Sequence, residues 1–482
     1  MEGSGSVSDK ADSKPNFLIV MTDQHDPMRS APYGHPFVRT PSMDRLAREG
    51  VTFRHAYCNT PLCAPSRMSF MTGRYVHHIG AWDNSTPHRS DLVTWAHQLR
   101  ALGYDAVLSG KMHFLGLDQR HGFREQIAAD LHAENRHAIF SWSEVDGPVR
   151  AAREWRLVEE SGPGTSEVIE YDDRAERAAL DYLREPTRQE QPFALCVGLI
   201  APHDPWIVPE PYFSMYYPDV DLPDLPDGHV DNLPPALRVL RDRHRMAGPF
   251  TEEQIRKTRA AYYGMVTRVD EQIGRLLDCL DEQGLAENTV VIHTSDHGEM
   301  LGEHGLWRKS NFYEQSARVP LQVRLPDGAH AGRWVEECVS LVDATAAILD
   351  LAGVPPGQLV DQRLDGTSLV ACLRGDLPWR DAVFCEYLAH GNDRPRAMLR
   401  RGDWKLTYGH VKDGQPQVEL YDLAGDPGEF TNLAGRPDHR VVQATLTAEL
   451  LAHWDPAALA VEIERSQRER LLIAGAAGRE TF

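Results

Sequence analysis

Four short apolar runs constrain this chain most, because each ends in groups that can do chemistry. "NFLIVMT" (16–22) runs into Asp23-Gln24, and "YDAVLSG" (104–110) into Lys111 and His113. "FALCVGLI" (193–200) runs into Ala-Pro-His203-Asp204, and "TVVIHTS" (289–295) into Asp296-His297. Continuous β-branched runs of this length, bounded by turn residues, suit strands buried on both faces of a mostly parallel sheet. Helical patterns lie between them at 40–50, 92–103 and 251–284, the first and last stopping at Gly50 and Gly284. Alternating strands and helices specify an α/β fold, a mixed, mostly parallel sheet sandwiched by helices. Ligands of such sheets bind beyond the carboxyl ends of the strands. One polar residue there is more often a cap or a loop residue; four ends with complementary groups point to a site.

After about residue 380 the pattern changes. "DAVFCEYL" (381–388), "RAMLR" (396–400), "DWKLTYG" (403–409) and "QVELYDL" (417–423) read as close-spaced strands of a small antiparallel sheet. The expected division is a disordered tail over 1–14, the α/β domain over 15–380, the antiparallel subdomain over 381–438 and a helical tail over 439–482. The charged and apolar mix of that last tail suits docking on this chain or on a neighbouring subunit, so a homo-oligomer is expected.

The 482 residues carry a formal net charge of -20, which argues against a nucleic-acid or anionic-membrane partner. A local cationic pocket remains compatible with it, because charges are screened beyond roughly 8 Å in physiological salt. The polar, Gly/Ser-rich N-terminus does not read as a signal peptide. No run approaches the roughly 20 apolar residues of a membrane span. Seven cysteines, at 58, 63, 196, 279, 338, 372 and 385, are odd in number and irregular in spacing. They fit a reducing compartment, so a cytoplasmic location is expected.

Residues 57–75, "YCNTPLCAPSRMSFMTGRY", place Cys63 at the start of a helix, with Pro65 in its first turn and Gly73 as its stop. The positive end of the helix dipole then falls on the thiol. Arg67, one turn on, shares its face at a Cβ separation of roughly 5–6 Å. Spacing alone leaves two readings: a buried cysteine with an arginine paired elsewhere, or a thiol nucleophile with a neighbouring base.

Cys-x-Pro-Ser-Arg followed by "MSFMTGRY" resembles the signature of the type I, formylglycine-dependent sulfatases of the alkaline phosphatase superfamily. "GYDAVLSGKMH" (103–113), "TSDHGEMLGEHGLWRK" (294–309) and "LYDLAGDPGEFTNLA" (420–434) are similar to further segments of that family, in the same order, over about residues 15–440. The resemblance implies that Cys63 is oxidised by a formylglycine-generating enzyme to an aldehyde. One hydroxyl of its hydrate attacks sulfur and the other later expels sulfate. It also implies one divalent cation on Asp23, Gln24, Asp296 and His297, with Ca²⁺ favoured and Mn²⁺ or Mg²⁺ compatible with the ligands. By the same resemblance Arg67 steadies the hydrate, and Lys111, His203 and Lys309 hold the sulfate oxygens of a small sulfate ester. His203 is then the acid for the leaving alcohol and His113 the base. Arg308 is an alternative to Lys309, and His304 reads as structural.

Gln24 and His297 depart from the Asp-Asp and Asn of many sulfatases and match both choline sulfatases and phosphonate monoester hydrolases. The latter carry Tyr and Thr where this chain has Lys111 and His113, which favours a sulfatase. "YCNTPLCAPSR", "APHDPW", "EQSARVPL" and "EYL" (386–388) resemble the choline sulfatase branch, although 124–160 departs from it. Asn84 is a candidate substrate contact. Glu386, Tyr387, Trp142, Trp155 and Trp206 are candidates for a cage around a quaternary ammonium. An unconverted Cys63 would leave a non-catalytic binding protein.

Overall fold

The computed structural model describes residues 14–131, 155–243, 248–326, 328–354, 364–376, 379–392 and 394–476. The expected tail over 1–14 lies, but for Lys14, outside the described residues. The strands in chain order are β1 (Asn16–Thr22), β2 (Val51–Tyr57), β3 (Asp105–Gly110), β4 (Glu125–Ala128), β5 (Gly162–Pro163), β6 (Phe193–Gly198) and β7 (Ile207–Val208). They continue as β8 (Thr289–Ser295), β9 (Leu321–Arg324), β10 (Arg333–Ser340), β11 (Ala382–Tyr387), β12 (Arg396–Arg401), β13 (Trp404–Gly409) and β14 (Gln417–Asp422). The eight-stranded main sheet has the order β10-β2-β9-β8-β1-β6-β3-β4. Only β9 runs antiparallel to its neighbours; the other pairs are parallel.

The four apolar runs form β1, β3, β6 and β8, buried along their whole lengths. Their alternation feeds two cores. Phe17, Ile19 and Met21 of β1 pack on one face with the helices Cys63–Thr72, Trp95–Ala101 and Leu341–Leu351. Leu18 and Val20 pack on the other with Glu167–Arg184 and Glu252–Glu282. β1 sits between β6 and β8, so a crevice opens where the chain leaves these strands. Register fixes what enters it: Thr22 pairs with Ser295, so Asp23 and Asp296 emerge together. Gly110 pairs with Gly198, which carries Lys111 over that strand end. Here glycine is required by space: a Cβ on Gly198 would lie 1.8 Å from the Lys111 carbonyl oxygen.

β11–β14 form the antiparallel sheet expected after residue 380. A buried charge cluster bolts it to the main domain. The Glu314 carboxylate accepts from Tyr57 Oη at 2.8 Å and from Lys405 Nζ at 3.0 Å, and pairs with Arg400 Nη1 at 3.2 Å. Lys405 also reaches Glu429 Oε1 at 2.7 Å. The tail helices Arg440–His453 and Pro456–Ala476 dock on this chain through Leu446, Leu450, Leu459 and Ile463. Among the described residues no helix is long and apolar enough to cross a membrane. All seven cysteines are free and buried.

Burial opposes ionisation of Glu314, but Lys405, Arg400 and Arg318 outweigh it and hold its carboxyl well below the usual range. A depressed folded pKa gives stability that is present above the unfolded value of about 4.3 and lost as pH falls through the folded one. Glu314→Gln is therefore expected to cost about 3 kcal/mol at neutral pH and to flatten the acid limb of stability. Urea unfolding as a function of pH reads both; an unchanged acid slope would contradict the clamp.

Candidate active site

Each strand end delivers its residue to one crevice. Asp23, Asp296, His297 and Cys63 offer ligand atoms that all lie within 4.8 Å of one another, all buried. Cys63 begins the helix Cys63–Thr72, which ends on Gly73 in left-handed conformation, φ 68°. Its Sγ lies 3.1 Å from His297 Nε2 and 3.9 Å from Asp23 Oδ1. His297 Nδ1 donates to the Gly298 carbonyl at 3.0 Å, which fixes the ring with Nε2 facing the thiol.

Arg67, wholly buried, ties the crevice together. Its Nε donates to Asp296 Oδ2 at 2.7 Å and its Nη2 to Asp23 Oδ2 at 3.1 Å. Its Nη1 donates to the Lys111 carbonyl at 2.9 Å and Nη2 also to the Thr22 carbonyl at 3.1 Å. Lys111 Nζ lies 2.5 Å from Asp23 Oδ2. Lys309 Nζ donates to Gln24 Oε1 at 2.5 Å and lies 2.9 Å from His203 Nε2. Arg308, the alternative to Lys309, instead pairs through Nε with Asp204 Oδ1 at 3.2 Å.

The two histidines stand differently. His113 is 1% exposed and hydrogen-bonds Cys63. Its backbone, at φ 58°, is gripped by Asp130 Oδ2, which accepts from the N–H of Met112 and of His113 at 2.9 and 2.5 Å. The His203 side chain is 15% exposed, at the mouth, and its Nδ1 donates to the Asp204 carbonyl at 2.6 Å. Asp172 anchors the loop that delivers His203, accepting from the N–H of Ile200 and Ala201 at 2.7 and 2.8 Å. Burial pushes the Asp172 carboxyl up to about 7.

Electrostatics separate the groups. Burial opposes ionisation of Asp23, yet Lys111, His203 and Arg67 hold its carboxyl well below the usual range. Burial also opposes thiolate formation at Cys63, but Lys309, His297 and Lys111 pull the thiol well below its ordinary value. The crevice therefore stabilises negative charge at the position of the Cys63 side chain and on whatever lies against Lys111 and Lys309. The donor set, two carboxylates with an amide oxygen and an imidazole, fits a hard divalent cation.

A pocket adjoins Lys309, lined by Asn84, Arg241, Trp307, Arg308, Ser310 and His390 among others. Asn84 also accepts from the Ala64 N–H at 3.0 Å, at the start of the Cys63 helix. Its neighbour Asp83 is held by the tail helix: both carboxylate oxygens take an Arg470 guanidinium N–H at 2.9 Å.

The expected ammonium cage is not assembled by the described residues. Glu386 does not line this pocket; its carboxylate accepts from the His77 N–H at 2.9 Å and from Trp454 Nε1 at 3.1 Å. Tyr387 is buried, its hydroxyl spent on the His390 carbonyl. Trp206 is buried against Trp307 at 5.7 Å between rings, Trp155 lies beside Arg156, and Trp142 falls outside the described residues. His304 stacks on Tyr313 at 3.7 Å. Trp307, Arg241, His390, Asp130 and Asp172 went unforeseen. Trp307 and Arg308, adjacent to Lys309 in "GLWRK", were the one signal in sequence.

The parallel-sheet crevice thus sets the Cys63 side chain between an acid–imidazole cluster and the buried cationic groups of Arg67, Lys111 and Lys309. The sulfatase family profile matches residues 15–354, and the profile of the N-sulphoglucosamine sulphohydrolase C-terminal region matches 302–455. The chain is 35% identical to the choline-sulfatase of Rhizobium meliloti over 95% of its own length and 91% of that protein's. It is 30% identical to arylsulfatase K of Bos taurus, covering 88% of this chain and 78% of that one. Among solved structures, the phosphonate monoester hydrolase of Agrobacterium radiobacter superposes with a TM-score of 0.75 at 28% identity, over 91% of this chain and 95% of the other. The chain belongs to the sulfatase family and is a sulfuric ester hydrolase. That family implies a metal ion and a formylglycine, and the residues gathered here fit both.

Removing Arg470 would leave Asp83 charged and buried beside Asn84. Arg470→Ala is expected to cost about 3 kcal/mol and to lower kcat by loosening Asn84 from the Cys63 helix. Urea unfolding and steady-state kinetics check both; wild-type values in each would show that the tail does not brace the site.

Proposed function

We propose that the enzyme hydrolyses small sulfate monoesters with a nucleophile made from Cys63 by a formylglycine-generating enzyme. The observation that carries this reading is the Cys63 side chain, set between His297 and Asp23 on one side and cationic groups on the other. Formylglycine supplies, as its hydrate, one hydroxyl that attacks sulfur and a second that expels sulfate. Asp23, Gln24, Asp296 and His297 would hold a divalent cation, calcium by preference, which would supply Lewis acidity to the site. Arg67 steadies the oxygens on residue 63. Lys111, Lys309 and His203 bind the sulfate oxygens and stabilise charge moving toward the leaving alcohol. His203, at the mouth, gives the alcohol its proton, and His113, against residue 63, takes the proton from the second hydroxyl.

The seven free cysteines support a reducing, cytoplasmic setting. Exposed Val461, Leu472 and Ile473 on the tail helix support self-association. A second reading, phosphonate monoester hydrolysis, is favoured by the likeness to the Agrobacterium radiobacter structure; Lys111 and His113 argue against it.

The test compares kcat/KM of the metal-replete enzyme on an aryl sulfate, choline sulfate and an aryl phosphonate monoester. A sulfate ester is expected to win by orders of magnitude, with the choline-to-aryl ratio reporting whether a cation pocket exists; a phosphonate winning would sink the assignment. His203→Ala is expected to lose roughly 10²–10⁴-fold on sulfates of poor leaving alcohols and far less on activated aryl sulfates. An equal loss on both would make His203 a sulfate binder and not the acid.

A further inference from the structure

We propose that Glu299 is a positioning residue that decides which atom of Gln24 faces the cation. The proposal rests on the reading of Asp23, Gln24, Asp296 and His297 as the set that holds it. An amide is two-faced: its oxygen can ligate a cation and its NH₂ can only donate. A glutamine therefore serves as a ligand only if its surroundings hold the amide one way round.

The surroundings do so here. Gln24 Nε2 donates to Glu299 Oε2 at 2.6 Å and to Asp204 Oδ1 at 3.2 Å. Both partners are carboxylates, so the nitrogen belongs on that side and Oε1 is left on the side of Lys309 Nζ. The backbone of Gln24 is equally committed, its N–H donating to Asp296 Oδ1 at 3.1 Å and its carbonyl accepting from Tyr262 Oη at 2.7 Å. Only the side-chain amide has a choice to make.

Glu299 cannot turn either. It is 0% exposed, and its Oε1 accepts from the N–H of both Leu301 and Arg308 at 2.7 Å. Those two residues take left-handed backbone, φ 48° and 65°, so the loop between them is wrapped around this carboxylate. One oxygen of Glu299 is held by the loop, and the other instructs Gln24.

This locking makes a directional test available. In Glu299→Gln the two backbone N–H groups keep the new amide oxygen at the Oε1 position. Its NH₂ must then meet the NH₂ of Gln24, which turns over and presents nitrogen to the cation. In Glu299→Gln/Gln24→Glu, the carboxylate at 24 accepts from that NH₂ with one oxygen and keeps the other for the cation. The wild type, Gln24→Glu, Glu299→Gln and the double variant would be stripped with chelator and titrated calorimetrically with CaCl₂ and with MnCl₂. Melting temperatures in chelator serve as the control for folding.

Glu299→Gln is expected to weaken cation binding by roughly 10–100-fold with its chelator melting temperature close to wild type. The double variant is expected to recover to within about threefold of the wild-type Kd. Wild-type protein that binds neither cation would overturn the metal reading itself. Wild-type binding together with an unchanged Kd in Glu299→Gln would overturn the positioning role alone, as would a loss that the second substitution does not repair. Should Glu299→Gln not fold, the double variant against Gln24→Glu decides: tighter binding in the double supports the proposal, and equal or weaker binding overturns it.

Discussion

The guanidinium of Arg67 is the interaction on which the rest of the site depends. Parallel pairing of β1 with β8 delivers Asp23 and Asp296, both buried, to one crevice, where like charges repel strongly at low dielectric. Arg67 answers both carboxylates and two backbone carbonyls at once, and it sits one turn from Cys63 on the same helix. The Cys63 position and the acidic cluster are thus registered against each other by one side chain. A lysine could not do this, because the task needs several donors in a fixed fork.

Around that clamp the chain accepts strain to place its groups. Gln24, His113, Arg308 and Ser310 all take left-handed backbone, at φ 64°, 58°, 65° and 81°. Such conformations persist only where neighbours over-determine them. Here the neighbours are visible: Asp130 beneath His113, Glu299 beneath Arg308, and Tyr262 beneath Gln24. Reach across the sequence is the common theme, and the tail helix bracing Asp83 is its longest example.

How much of this was legible in sequence follows from what each feature needs. The strands were readable because a buried parallel strand is a continuous apolar run, and the chemistry was readable because each run ends in its polar group. The helix expected over 92–103 begins only at Trp95, since Thr94 caps it with its side chain. Cys63, Arg67 and the strand-end residues are local patterns. Asp130, Asp172 and Glu299 act by accepting backbone N–H groups, at Met112 and His113 for the first, Ile200 and Ala201 for the second, and Leu301 and Arg308 for the third. A sequence carries no mark of such acceptors. The partners of Glu386 were unreadable for the same reason: "EYL" marks an acid, and only the fold brings His77 and Trp454 to its carboxylate.

The most direct test of the account is to measure, in one set of preparations, the fraction of Cys63 converted to aldehyde and the specific activity on a sulfate ester. Conversion would be varied by co-expression with a formylglycine-generating enzyme and read by mass spectrometry of the peptide containing residues 57–75. The account predicts activity proportional to the converted fraction, with none at zero conversion. Full activity in protein whose Cys63 remains a thiol would contradict it.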